Sequence, residues 1–284
     1  MKEGKKEKIG LVLTGGGMRC AYSAGALGAL VKKYGLKDPY ALAAESGSAG
    51  NAMYFLARQF DVGEFVWTKL LVDKKFVPTI PTTIHVDYLI DEIFRKKVPL
   101  KVKNIEKTKV KYFFSVTNAK TGQTEYVTNE SFFDFYEVMR AAKAIPLLYR
   151  KKVRLGMKKY IDGGMSANIS DLARQVLKAG ATTLITINCE PKERALSTKL
   201  ALGLDARFHG KRLRDAMLHD LSLPPGVCPV SDDVRAICIS PSSALNMRVF
   251  TNSKEKLTRA FNLGYQDIAE SEEIAKLFKQ QYHR

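Results

Sequence analysis

Twice in its first sixty residues the chain passes from an apolar, strand-like run through a cluster of small residues into a segment with helical spacing. Ile9–Thr14 (IGLVLT) meets Gly15-Gly16-Gly17 and then Arg19–Lys33; Tyr40–Glu45 meets Ser46–Gly50 and then Asn51–Phe60. Parallel strands cannot be joined by a tight hairpin and need a crossover, usually a helix, so this unit predicts parallel pairing. Further strand-like runs follow at Val110–Thr117, Glu125–Thr128, Lys159–Ile161, Thr183–Asn188 and Ala236–Ser240, with helical stretches at Phe132–Ala142 and Asp171–Ala179 between them. The alternation predicts an α/β fold of three layers, α/β/α, with a mainly parallel central sheet covered on both faces.

A chain of 284 residues, 45% hydrophobic, can bury a full core, and no linker interrupts it. We therefore expect a single domain over residues 1–284, with a motif-bearing core at about 8–175 and a C-terminal portion, 176–284, that completes the sheet and helices. The proline-bearing stretches Lys74–Pro81 and Pro224–Pro229 predict loops, and Ser253–Lys279 one or two amphipathic helices.

No run reaches the roughly 18 apolar residues of a membrane span. The basic start MKEGKKEKIG passes straight into Leu11–Leu13, too short for a signal-peptide core. These features predict a cytoplasmic protein, peripheral at the inner membrane surface if it meets lipid. Cys20, Cys189, Cys228 and Cys238 show no close pairing, and reduced thiols are expected.

The formal charge of +17 favours anionic surfaces. Small clusters at Lys2–Lys8, Lys151–Arg154 and Lys158–Lys159 suit contact with anionic membrane, although most of the charge reads as solvated surface. The interleaving of arginine with aromatics that marks a nucleic-acid reader is missing, so no specific nucleic-acid partner is expected. Nothing in the sequence specifies an oligomeric state.

Ser46-Gly47-Ser48-Ala49-Gly50 sits where a strand gives way to a helix. Small residues there permit the sharp turn that would hold the Ser48 hydroxyl clear of the backbone, as in a nucleophile elbow, with Ser46 at the first glycine of G-x-S-x-G. An ordinary turn with Ser48 capping the helix fits the same five residues. Gly15-Gly16-Gly17 could aim backbone N–H groups at an oxyanion or at a phosphate. Its continuation through Cys20 breaks the dinucleotide fingerprint. His85, His209, His219 and His283 lie in polar or loop-like contexts, and none is set up as a base. Asp162-Gly163-Gly164 follows a short strand and is, read alone, a common turn. No Cys/His cluster suggests a metal, and no cofactor is implied.

In order and spacing these three pieces resemble the patatin-like phospholipases. Gly15-Gly16-Gly17-Met18-Arg19-Cys20 is similar to the family's G-G-G-x-R-G, Ser46–Gly50 to its elbow, and Asp162–Asn168 to its D-G-G-x-x-x-N. Arg140-Ala141-Ala142 with Ala144-Ile145-Pro146 is similar to its R-A-S-x-A-I-P, and Phe250–Gly264 to the bacterial patatin-like esterase branch.

The resemblance implies a serine esterase or lipid acyl hydrolase, phospholipase A-like or lysophospholipase-like, working through a Ser-Asp dyad and a covalent acyl-enzyme. Ser48 would be nucleophile and Asp162 base. Gly15, Gly16, Gly17 and Met18 would form the oxyanion hole, and Arg19 either anchors a substrate phosphate or pairs structurally with a carboxylate. The substrate would be a lipid or another acyl ester. The departures at Ser46 and Cys20 motivate a second expectation, an inactive lipid-binding or regulatory protein on the same fold.

Overall fold

A computed structural model describes residues 7–78, 84–146, 148–189, 210–222 and 234–282. Its centre is an eight-stranded sheet: β1 (Ile9–Leu13), β2 (Ala41–Ala44), β3 (Lys111–Asn118), β4 (Thr124–Val127), β5 (Val153–Leu155), β6 (Lys158–Asp162), β7 (Thr183–Ile187) and β8 (Arg235–Ile239). Pairing runs β5-β6-β3-β2-β1-β7-β8, with β4 on β3. The joins β3-β2-β1-β7-β8 are parallel, and those of β4, β5 and β6 are antiparallel. The expected mainly parallel sheet is thus present; β5, too short to carry a periodic signal, is an addition.

The sheet is buried on both faces because alternate side chains feed different cores. Leu11, Leu13, Leu42 and Ala44 join the larger core with helices α1 (Ala21–Lys32) and α2 (Ser46–Leu56). Val12, Ala41 and Ala43 join a smaller one with Leu172, Ala173 and Val176 of the helix Ile169–Lys178. That helix opens on a capping box from Asn168 and Asp171.

On the larger-core side, α1 lies against the helix Lys254–Glu270, the first of two helices that divide the C-terminal stretch. Two glycines permit the approach: a Cβ on Gly25 would stand 1.8 Å from the Phe261 carbonyl oxygen, and one on Gly264 2.0 Å from that of Tyr22. The Tyr22 hydroxyl donates to Asp267 across the same seam at 2.8 Å.

The helix after the second strand starts at Ser46, five residues before the expected Asn51, so the small-residue cluster is its first turn. Cys238 is disulfide-bonded, against the expectation of thiols throughout, whereas Cys20 and Cys189 are unbridged and buried. Bridging depends on how closely two Cβ atoms approach in space, which sequence spacing does not report. The loop expected at Pro224–Pro229 lies outside the described residues, as does part of Lys74–Pro81. Among the described residues no helix is long and apolar enough to cross a membrane.

Candidate active site

The arrangement of the site follows from how β3 shares its edges. Phe114 pairs with both Ala44 and Val127, and Val116 with both Glu125 and Asp162. A residue has one neighbour on each side, so β4 takes one edge of β3 while β2 and β6 share the other, end to end. Asp162 therefore arrives just beyond the point where β2 stops and the chain turns into α2. This is the carboxyl end of the parallel strands, the usual location of a site in an open α/β sheet.

At that turn Glu45 is still extended and Ser46 takes φ of 51°, a left-handed conformation that a non-glycine residue adopts at the cost of strain. The turn throws the Ser46 hydroxyl toward β6, where it donates to Asp162 Oδ2 at 2.8 Å. The other carboxylate oxygen of Asp162 accepts from the Gly164 N–H at 2.9 Å, and Thr117 donates to the Asp162 carbonyl at 2.8 Å. Gly163 lets this strand end pass close to β3: a Cβ there would lie 2.4 Å from the Ser115 carbonyl oxygen. Asp162 is 1% exposed and Ser46 6%.

Ser48 is not brought to Asp162. Two residues into α2, about 200° round the helix from Ser46, it points toward α1, where its hydroxyl donates to the Thr14 carbonyl at 2.7 Å and lies 2.8 Å from Ser23 Oγ. It is fully buried. The serine that meets Asp162 is thus two residues earlier than the G-x-S-x-G frame indicates. Centred on Ser46, that frame would read Ala44-Glu45-Ser46-Gly47-Ser48, with neither glycine in place. The available signal was positional: Ser46 follows the strand run directly and so falls at the turn itself.

Of the four predicted oxyanion donors, two are already engaged. Gly15 N–H donates to Glu45 Oε1 at 3.1 Å, and Met18 N–H to the Val249 carbonyl at 2.9 Å. No described group accepts from the N–H of Gly16 or Gly17, and both residues have positive φ, 148° and 58°. The elbow packs against this loop through Gly47, where a Cβ would lie 2.8 Å from the Gly17 carbonyl oxygen and from Cys20 Sγ. Arg19 Nε donates to the Gly16 carbonyl at 3.3 Å, and no described carboxylate forms an ion pair with it. Burial and the neighbouring Cys189 hold the Cys20 thiol well above the usual range, so it fills space and is not poised to react.

Two groups near the Ser46–Asp162 contact had no motif to announce them. Glu45 is buried, its carboxylate against Gly15 and Gly164. Lys143, the unspecified position of the R-A-S-x-A-I-P segment, donates to the Ser46 carbonyl at 3.4 Å. Burial pulls its ammonium down to about 8, with the Asp162 charge acting in the opposite direction.

Ser46, Gly17 and Lys143 line one cavity, in which Lys143 is the single charged side chain among the described residues. The remaining wall is largely apolar and aromatic, including Tyr54, Phe55, Trp67, Phe76, Leu89 and Phe94. Ser46, Gly50, Asn51, Tyr54 and Phe55 put the cavity along one side of α2 for about 13 Å at 1.5 Å per residue. Of the histidines, His85 is exposed.

The family model described as Patatin-like phospholipase matches residues 11–170. No curated protein sequence matches the chain. Among solved structures, the fold is similar to that of VipD from Legionella pneumophila, with TM-score 0.54 at 13% identity over 97% of this chain and 67% of that one. It is also similar to human GIVD cytosolic phospholipase A2, determined in complex with methyl gamma-linolenyl fluorophosphonate inhibitor and terbium chloride. There the TM-score is 0.51 at 14% identity, over 100% of this chain and 60% of that one.

Proposed function

Since the chain belongs to the patatin-like phospholipase family, we propose that it is a lipid acyl hydrolase, with Ser46 as nucleophile and Asp162 as its base. The observation that carries this reading is the 2.8 Å contact between Ser46 Oγ and Asp162 Oδ2 at the wall of an apolar cavity. In the first step Ser46 Oγ bonds to the ester carbonyl carbon as its proton passes to Asp162 Oδ2. The N–H groups of Gly16 and Gly17 receive the negative charge that develops on the carbonyl oxygen. Collapse of this intermediate breaks the ester bond, and the departing alcohol takes the proton from Asp162.

The acyl chain, held along α2, remains on Ser46. Asp162 then takes a proton from water, whose oxygen attacks the acyl carbon, and returning that proton to Ser46 Oγ releases the fatty acid. No histidine takes part. Asp162 is buried against Ser46, so the proton passes directly between the two side chains as the carbonyl carbon is attacked.

Phospholipids, lysophospholipids and smaller acyl esters all fit this chemistry, as does peripheral contact with anionic membrane. The test is labelling by a long-chain fluorophosphonate, followed by mapping of the modified peptide. Modification of Ser46 in wild type, abolished in Ser46→Ala and retained in Ser48→Ala, is expected. Modification of Ser48 instead would overturn the assignment, and a folded chain that binds lipid without being labelled would fit the lipid-binding alternative.

A further inference from the structure

Because β6 continues the line of β2 along one edge of β3, following it backward from Asp162 leads away from the sheet at the end where the dyad stands. The hairpin of β5 and β6 turns at Gly156-Met157, five residues before Asp162, or about 16 Å at a strand's rise. Met157 at this tip is 96% exposed. Phe132, on the loop before the helix Phe135–Ala141, is 97% exposed; among the described residues the other exposed large apolar side chains, Phe65 and Leu218, reach 49% and 44%. The two extremes belong together, since the Phe133 ring lies 3.4 Å from where a Cβ on Gly156 would stand.

Cations surround these tips. Arg150, Lys151, Lys152, Arg154, Lys158 and Lys159 are all exposed. Lys151 is paired with Asp87 and Lys158 with Glu125, whereas Arg150, Lys152, Arg154 and Lys159 form no ion pair with a described residue. The facing acids are few: Glu130 is exposed, and Asp134 is already bonded to Arg95.

Apolar side chains held fully in water on projecting turns, ringed by unpaired cations, have the composition of an interfacial anchor. We propose that the Phe132 loop and the Met157 turn form a docking surface for anionic phospholipid bilayers. Phe132 and Met157 enter the boundary between headgroups and acyl chains, and Arg150, Lys152, Arg154 and Lys159 lie against anionic headgroups. A nucleic acid would use the charge but has no place for a methionine tip. The bilayer uses both, and docking there turns the dyad's end of the sheet toward lipid. That benefit rests on the lipid-hydrolase reading; the binding itself does not.

The experiment is sedimentation of the full chain carrying Ser46→Ala with phosphatidylcholine vesicles, with and without about 30 mol % phosphatidylserine, at low salt and at about 0.5 M salt. Binding at least tenfold tighter to the anionic vesicles, and weakened by salt, is expected. Phe132→Ser with Met157→Ser, and separately Lys152→Glu with Arg154→Glu, should each lower that affinity at least tenfold with unchanged thermal melting. Undiminished binding by both pairs, no binding by the parent chain, or equal affinity for duplex DNA overturns the proposal. Hydrolysis of a soluble short-chain ester by the unsubstituted protein is measured alongside. Binding without hydrolysis would count against the enzyme alone, and hydrolysis without binding against the docking surface alone.

Discussion

Ser46 Oγ lies 2.8 Å from Asp162 Oδ2, although 116 residues separate them, because β2 and β6 occupy the same edge of β3 end to end. Ser48, two residues on, is directed to the Thr14 carbonyl. This contrast makes the two serines separable by mutation. Ser46→Ala and Asp162→Asn should each lower kcat/KM for a soluble ester by at least about a thousandfold, as for the loss of a nucleophile or its base. Ser48→Ala should stay within about tenfold and show itself in melting, since it removes a buried hydrogen bond worth about 1 kcal/mol. The reverse ranking would return the nucleophile to Ser48.

Gly17→Ala tests the proposed oxyanion loop. A Cβ there would stand 2.5 Å from the Val249 carbonyl oxygen, at a φ of 58° that L-residues disfavour. Displacing the loop misdirects the Gly16 and Gly17 N–H groups, and we expect a loss of about a hundredfold in kcat with little change in KM. Equal loss in both would indicate damage to substrate binding.

Gly25→Ala tests the seam between α1 and the helix Lys254–Glu270, where the new methyl would fall 1.8 Å from the Phe261 carbonyl oxygen. Backbone has to move to admit it, so a destabilisation of at least about 2 kcal/mol is expected in chemical denaturation. Gly28→Ala, one turn on, meets nothing nearer than 3.8 Å and should be neutral or slightly stabilising.

Lys143 gives a pH signature. Its folded value of about 8 lies below the ordinary 10.5, so between these pH values the unfolded chain binds more protons than the folded one. Through this group stability rises with pH across that window, and below about 8 folding bears the cost of the buried charge. Lys143→Met removes that cost. Its stability relative to wild type should be most favourable below pH 8 and fall steadily toward pH 10.5, as read by denaturation at several pH values. A difference that is constant with pH would show that Lys143 is not desolvated in the folded protein.

Much of this molecule was legible from its sequence, because the signals involved are local. Runs such as Ile9–Thr14 and Thr183–Asn188 declare strands by composition alone, and the glycines after Leu13 declare a turn. The order of the glycine loop, the serine cluster and Asp162-Gly163-Gly164 was enough to indicate the family. The sequence could not say which serine faces Asp162. That depends on where β2 ends relative to β3 and on the strained turn at Ser46, a matter of strand register that two serines separated by one glycine leave open.

Tertiary structure alone engaged the N–H groups of Gly15 and Met18, through Glu45 and through Val249 more than 200 residues away. It also brought Lys143 beside Ser46, bridged Cys238, and set Phe133 against the Gly156 turn. The physical reason is the same throughout. Periodicity and turn chemistry act over a few residues, whereas burial, hydrogen-bond satisfaction and exposure are set by which distant segments the sheet places side by side.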